Sequence, residues 1–599
     1  MFVWDRKDLN NAQVAAIEHP GSVFLVACPG SGKTRTLTYK IARLLSQLKS
    51  DKKRVVAITY THRAADEIHE RIEQLGVDTS QLWIGTIHSF CLEWILKPYG
   101  IYHPTLKHGF RVINAHDTER MLEELCSAVQ GTKLTSFDCA YYFKPSRYVL
   151  TSLKSEKHEA IKGVLRAYWR TLRADRQVDF ELILFYAYQL IEKNPSISVL
   201  LGSIFESVLV DEFQDTREIQ YAILASILKA SNGQTSAFVV GDPNQAIYGS
   251  LGGYAITAVD FGTRCGIVFK EMDLSDNYRS SSRIVSYFGN YNVLPAKIEA
   301  VGRDKNYASV VSFDQKTRRD ALEDELVRLI KFNVETLGIA PHEVCVVAPW
   351  WVHLASMTRR LVAALPAYSF DGPGMVPFAR DVDNFWYKLA RIALTEASPQ
   401  LYVRRMRWAG EVIAGLSEVG IEIPGLDRKA LLRTCNAITI TETDGLVFLG
   451  AFFDRLCAVL GIDHLACDSL KEHYNAFFES SQKRIDRLIK EGSEAIAELA
   501  MFRKVFAGRT GITVSTIHGV KGAEYDAVIA YGLLEGMVPH FSDPDQVETA
   551  KKLIYVVSSR ARKNLHLISE RGRTRGWSGD YQPTEVLTGC AFDYDQLFF

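Results

Sequence analysis

Seven short apolar runs, each emptying into a Gly-rich, acidic or hydroxyl-bearing turn, set the rhythm of this chain: SVFLVACPGSGKT, RVVAITYTHRAADEI, ESVLVDEFQD, AFVVGDPNQ, VCVVAPW, ITVSTIHGVKG and YDAVIAYG. Such runs are apolar throughout and do not alternate with polar residues, which predicts strands buried on both faces of a parallel sheet. They fall into a group before about residue 270 and a group after it, so the pattern predicts two α/β cores. Elsewhere, over about 101–175 and about 371–504, apolar residues recur at helical spacing between charges, as in DSLKEHYNAFFESSQKRIDRLIKEG. The expected fold is therefore α/β: two parallel-sheet domains, each with a mainly helical insertion. The first domain takes 1–100 and 176–272 and is interrupted by 101–175. The second takes 273–370 and 505–599 and is interrupted by 371–504.

Composition narrows the class. At 599 residues, with 47% hydrophobic and 23% charged side chains, the chain has the balance of a globular protein of about four units. Lys+Arg and Asp+Glu are 70 each, so any basic groove must come from local clustering. The ten cysteines are scattered, with no C-x-x-C pair, which argues against a disulfide framework, a zinc ribbon or a cysteine-held cluster. The opening MFVWDRKDLN is not a basic-then-apolar leader, and no apolar run is long enough to cross a membrane. A cytoplasmic protein without membrane contact is expected.

The sharpest chemical signal is Ala27-Cys28-Pro29-Gly30-Ser31-Gly32-Lys33-Thr34, directly after the run SVFLV and before a helical pattern. Ala27 stands where G-x-x-x-x-G-K-[ST] begins with glycine. Backbone N–H groups of such a loop converge on phosphate oxygens, and the helix N-terminus adds positive potential. Lys33 would neutralise the β- and γ-phosphates of ATP, and the Thr34 hydroxyl would ligate Mg²⁺. Asp211 follows the run Val208-Leu209-Val210 and would hold the same ion, and Glu212 is placed to polarise the attacking water. Phosphoryl transfer also wants cations where charge develops, and Arg279 in LSDNYRSS and Arg560 in YVVSSRARKN fit that need.

In this order, the whole set resembles the superfamily 1 DNA helicases of the UvrD/Rep/PcrA type. LNNAQVAAI is similar to that family's Q motif, ACPGSGKTRTL to motif I and VVAITYTHRAADEIHERI to motif Ia. IGTIHSFC resembles the next DNA-facing motif, and VDFELIL (Asp179, Phe180) the segment preceding motif II, LVDEFQD. VVGDPNQAIYG, LSDNYRS, STIHGVKGAEYDAVI and KKLIYVVSSRAR resemble motifs III to VI. The resemblance is close over 1–100, 205–280 and 510–565. It implies two RecA-like domains with ATP between them. Gln13 would read the adenine edge, Arg35 and Tyr278 would pack on the base, and Glu524 would contact the ribose. Gln245 would sense the γ-phosphate, and Arg279 and Arg560 would meet it from the second domain. DNA contacts would come from Tyr60, Thr61, His62, Arg63, Thr86, His88 and Tyr248, and from Thr516 and His518 in the second domain.

The chain departs from the family at three places. Ser250 and Leu251 stand where a Trp-Arg pair usually follows IYG, the second insertion is short, and the sequence given ends soon after motif VI, leaving no room for a nuclease domain. Three functions stay open. The first is a 3′→5′ motor that moves on single-stranded DNA and unwinds duplex, as in DNA repair. The second is a translocase that strips proteins from DNA with little unwinding. The third is an ATPase subunit acting with a separate nuclease, as in Gabija-type antiviral defence. The aromatic tail from Tyr594 to Phe599 would either dock a partner or pack on the second core.

Overall fold

The computed structural model describes residues 8–372, 375–378, 381–574 and 579–596. They form two compact units. The first contains described residues of Met1–Ile113, Met121–Leu322 and Ile517–Phe599, and the second Asn114–Arg120 and Glu323–Thr516.

The first unit is built on a six-stranded sheet of β1 (Val23–Ala27), β2 (Arg54–Thr59), β3 (Leu82–Thr86), β4 (Phe205–Val210), β5 (Ser236–Gly241) and β6 (Lys270–Leu274), in the order β6-β1-β5-β4-β2-β3. Every pairing in it is parallel. The four strands read from apolar runs lie at or next to the centre, and Val23, Leu25, Val55, Val56, Leu209, Val239 and Val240 are fully buried. Burying each such side chain contributes roughly 1.5–3 kcal/mol, which fixes the sheet and with it the loops at its carboxyl edge. In open parallel sheets ligands bind at that edge.

The edge strand β6 was hidden in the sequence because its Lys, Glu and Asp face solvent. The segment predicted as a helical insertion has the helices Ala115–Ser127 and His158–Ala174. It also holds a short antiparallel hairpin, Tyr141–Phe143 against Tyr148–Leu150. Phe143 of that hairpin stacks on Phe185 at 4.1 Å, and Tyr141 meets Trp169 edge-on at 5.2 Å.

Asp179 ties this region together. It caps the helix Phe180–Lys193 by accepting from the Leu182 N–H at 2.8 Å, and its other oxygen accepts from the Tyr141 and Tyr168 hydroxyls at 2.7 and 3.0 Å. Asp179→Ala removes a cap and strands two hydroxyls, so stability should fall by about 2–5 kcal/mol. A denaturant midpoint unchanged from wild type would show that these hydroxyls find other acceptors.

The first unit also contains a second set of parallel strands, Val311–Asp314, Ala561–Ile568 and Tyr525–Ala530. Tyr594 packs here against Phe313 and meets Tyr287 at 5.8 Å. The rest of the expected aromatic tail, Leu597, Phe598 and Phe599, lies outside the described residues.

The second unit pairs Ile512–Thr516 with Val344–Ala348 and with Phe370–Asp371, again in parallel. Its helices Phe385–Ala393, Tyr402–Glu418, Arg428–Ala437, Gly445–Leu460 and Asp468–Lys490 close around Trp386, Leu449 and Phe453. Among the described residues no helix is long and apolar enough to cross a membrane.

Candidate nucleotide site and nucleic-acid track

The phosphate loop leaves β1 at Ala27, whose Cα partner is Leu274. Its carbonyls from Cys28 to Ser31 are all engaged. Cys28 O accepts from the Ser31 hydroxyl at 2.7 Å, Pro29 O from Asn277 Nδ2 at 2.6 Å, Gly30 O from the Tyr278 N–H at 2.9 Å, and Ser31 O from Gln13 Nε2 at 2.9 Å. Gly30 and Gly32 sit at φ 71° and 80°, in the left-handed region that favours glycine. A Cβ on Gly30 would come within 2.6 Å of Arg279 Cβ, and one on Gly32 within 2.7 Å of Gln13 Nε2. The helix Lys33–Gln47 starts behind Gly32 with no side-chain cap, so its first amides and positive dipole end are offered to an anion.

At the end of β4, Asp211 is buried and its N–H donates to Ile58 O at 2.9 Å. Glu212 follows at φ 52°, a left-handed conformation that costs a non-glycine residue about 1–3 kcal/mol and turns its carboxylate toward Lys33. Lys33 Nζ lies 3.8 Å from Glu212 Oε1, and Gln214 Nε2 donates to Glu212 Oε2 at 2.5 Å. The two adjacent carboxylates are driven apart. Burial, then the charge of Glu212, push Asp211 up, while Lys33, Lys521 and Gln214 outweigh burial and hold Glu212 down. Of the two, Glu212 is the more readily ionised, the state a general base requires. Thr34 and Asp211 supply hard oxygen donors of the kind Mg²⁺ takes, beside a glycine cradle that a side chain would fill.

The cations converge on the same place. Gln245 is buried. Its Oε1 accepts from Arg560 Nη2 at 2.9 Å, and its Nε2 donates to Asp242 Oδ2 at 2.7 Å. Burial and the like charge of Arg279 lower Arg560 to about 9, so it stays cationic at neutral pH. Arg279 Nε donates to Glu524 Oε2 at 2.6 Å, and Glu524 Oε1 lies 3.2 Å from Arg562 Nη1. The expected ribose contact, Glu524, is thus held here as the carboxylate that separates two arginines. At the base end Tyr278 is 45% exposed, and Arg35 is also exposed, paired to Asp8 at 3.5 Å. Gln13 spends its Oε1 on the Asn10 N–H at 2.9 Å. Asp242 and Asn277 also hold this site, and within GDPNQ and LSDNYRS nothing local tells them from their neighbours.

The track residues fall into two sets. Tyr60 and Tyr248 stack at 5.2 Å and 28°, and Tyr248 meets the His518 ring at 5.4 Å. Thr61 caps the helix His62–Gln74 through the Ala64 N–H at 3.2 Å, with Arg63 exposed in the first turn. Thr86 caps the short helix Ile87–Phe90 through the Ser89 N–H at 3.3 Å. His88 meets Phe180 edge-on at 5.7 Å, and its buried Nε2 has no hydrogen-bond partner. Burial, then the charges of Arg217 and His62, push His88 down to about 4, so the ring is neutral at physiological pH. Thr516 closes the strand Ile512–Thr516 of the second unit. Leu251 is half exposed, and next to it a Cβ on Gly252 would meet the Tyr142 ring at 2.8 Å.

Comparison with known proteins gives this geometry its setting. Residues 9–261 match the UvrD/REP helicase N-terminal domain, and residues 468–572 match the UvrD-like helicase C-terminal domain. The ATP-dependent DNA helicase UvrD1 of Mycobacterium tuberculosis is 30% identical over 93% of this chain and 82% of its own length. The ATP-dependent DNA helicase PcrA of Leuconostoc citreum is 24% identical over 94% of this chain and 82% of its own length. A probable DNA helicase II homolog of Mycoplasma capricolum is 32% identical, over 47% of this chain and only 40% of its own length. The two sets of parallel strands are those of two RecA-like domains. By its motifs, its sheets and its relatives, the chain belongs to the UvrD/Rep family of ATP-dependent DNA helicases.

Proposed function

We propose that this protein is an ATP-driven motor that moves 3′→5′ along single-stranded DNA and separates the duplex ahead of it. The observation that carries the reading is the cluster in which Lys33, Glu212, Gln245, Arg279 and Arg560 surround one phosphate loop, on the unit that also carries the Tyr60–Tyr248 stack. In this reading the loop amides and Lys33 bind the β- and γ-phosphates, and Glu212 takes the proton of the attacking water. Arg279 and Arg560 meet the charge that develops on the γ-phosphoryl oxygens. Gln245 holds Arg560 in place, and Tyr278 and Arg35 flank the adenine, with Gln13 at its edge and Glu524 near the ribose. A magnesium ion held by Thr34 and Asp211 would offset charge on the phosphate oxygens. Tyr60 and Tyr248 would face bases, Thr86 and His88 phosphates, and Thr61, His62, Arg63 and His518 the strand beside them, with Thr516 a separate strand contact on the second unit.

A second reading, translocation with little unwinding, is favoured by one feature. The turn Gly249–Leu251 offers a serine and a half-exposed leucine to the track, and neither stacks on a base or pairs with a phosphate.

ATP turnover with and without single-stranded DNA, followed by unwinding of 3′- and 5′-tailed duplexes, tests both. Stimulation by single strands and unwinding of the 3′-tailed substrate alone are expected. Stimulation without unwinding of either substrate would select the second reading, and 5′-tailed unwinding would overturn the polarity. Base–aromatic stacking is worth roughly 1–3 kcal/mol per base, so Tyr60→Ala should raise the DNA concentration for half-maximal stimulation by about tenfold. Stimulation should also weaken as salt rises, because Arg63 and its neighbours displace counterions. An unchanged DNA requirement in Tyr60→Ala would remove this stack from the track.

A further inference from the structure

Lys521 joins parts of the first unit that lie far apart in sequence. Its Nζ donates to both oxygens of Asp215, at 2.8 and 2.6 Å, and to the carbonyl oxygen of Gln245 at 2.6 Å. An ammonium has three donors, so this set is full. The same Nζ lies 5.2 Å from the centroid of the Tyr248 ring, the ring that stacks on Tyr60. The Asp215 side chain is fully buried and that of Lys521 is 9% exposed. A buried ion pair is weak evidence for stability, because desolvation offsets most of the attraction; this one has another reason to exist.

Its neighbours supply the reason. The Asp215 N–H donates to Glu212 O at 3.0 Å, so the residue whose carboxylate Lys521 grips also closes the turn begun by the candidate base. The backbone that Lys521 grips belongs to Gln245, whose side chain accepts from Arg560. Tyr248 is three residues further along the same loop, while Ser250 and Leu251 add neither ring nor charge.

We propose that Lys521 is the positioning residue through which a base entering the aromatic track reaches the phosphate site. The proposal rests on the motor reading given above. Tyr60 and Tyr248 already stack on each other, so a base can enter between them only by parting the rings. Displacing Tyr248 takes the π-face away from Lys521 and shifts the loop that carries Gln245. The ammonium then re-divides its bonds between Asp215 and the Gln245 carbonyl, which moves the Glu212 turn and the Arg560 anchor together. Two arrangements of one cation, biased by the strand and by the nucleotide, are the physical content of such a coupling.

The test uses the full chain and an oligothymidylate single strand at saturating concentration. The variants are the neutral pair Asp215→Asn with Lys521→Gln, and separately Tyr248→Leu, which leaves the ion pair in place. Each is measured for melting temperature, DNA affinity by anisotropy, the KM for ATP, and kcat with and without DNA. A merely structural ion pair predicts that the neutral pair restores everything. The proposal predicts instead that the neutral pair melts like wild type, binds DNA and keeps its KM. The DNA-stimulated kcat relative to basal should fall about 5- to 150-fold, the usual span of a coupling free energy, and Tyr248→Leu should show the same loss at saturating DNA. Full stimulation in either variant would overturn the proposal. A wild-type protein that hydrolyses ATP without any response to single strands would overturn the motor reading, and this proposal with it.

Discussion

Lys33→Ala is expected to abolish ATP turnover, and Glu212→Gln to abolish it while leaving ATP bound. The two variants fail for different reasons, which makes the pair informative. Lys33 is the cation at the start of the phosphate-loop helix, and its nearest charged partner is Glu212 at 3.8 Å. Removing it deprives the phosphates of their closest counter-charge and also removes the leading cause that holds Glu212 ionised. Binding and chemistry should therefore both fail. The Gln at 212 keeps the size and the partner amide of Gln214 but cannot take a proton, so only chemistry should fail. Asp211 loses the like charge of Glu212 that pushes it up, and so remains an oxygen donor for a metal ion. The check is equilibrium binding of a fluorescent ATP analogue beside single-turnover hydrolysis. Normal hydrolysis by Glu212→Gln would remove it from its role. A Lys33→Ala protein that binds ATP as wild type would mean that the loop amides alone carry the phosphates.

Much of this site was legible because its parts are local. A strand, a glycine loop and a helix start are consecutive in the sequence, and the carboxylates follow an apolar run directly. The central strands were legible for a related reason, since burial on both faces forces a continuous apolar run. Strand β6, Lys270–Leu274, escaped because an exposed edge tolerates charge. Ala561–Ile568 escaped because Arg562, Lys563 and Asn564 break up its start, although Asn564 to Ile568 are all buried. The hairpin at Tyr141–Leu150 escaped because its strands are shorter than any period that could announce them. Lys521 lies within STIHGVKGAEYDAVI, where nothing local marks it. Its meaning lies in Asp215, 306 residues away, and one sequence does not show a pairing at that distance. His88 shows the converse: the string fixes its place after β3, but only the packing shows a neutral ring edge-on to Phe180.

The arginines should give the second large effect. Arg560→Ala and Arg279→Ala are each expected to slow hydrolysis by about 10³ to 10⁵ at saturating ATP, the range an arginine finger supplies in phosphoryl transfer. Nucleotide affinity should change far less, because the charge they meet is larger in the transition state than in the ground state. The structure sharpens the expectation. Two guanidiniums sit close enough that Arg279 lowers the proton affinity of Arg560, a repulsion that bringing in a polyanion relieves. Only Arg560 is anchored through Gln245, with its Nε on Val556 O at 3.1 Å and its side chain 2% exposed. Arg560→Ala therefore opens a buried hole as well, and Arg560→Lys separates the two effects. The lysine keeps charge and bulk but cannot hold Gln245 and a phosphate oxygen in one plane, so it should remain slow. Arg279→Ala also takes one cation away from Glu524, which still faces Arg562. Glu524→Gln is the control: if that loss at the carboxylate were the cause, Arg279→Ala with Glu524→Gln would recover the rate. Near-normal turnover in both alanine variants would leave the phosphate site without its transition-state cations, and the assignment of Arg279 and Arg560 would fall.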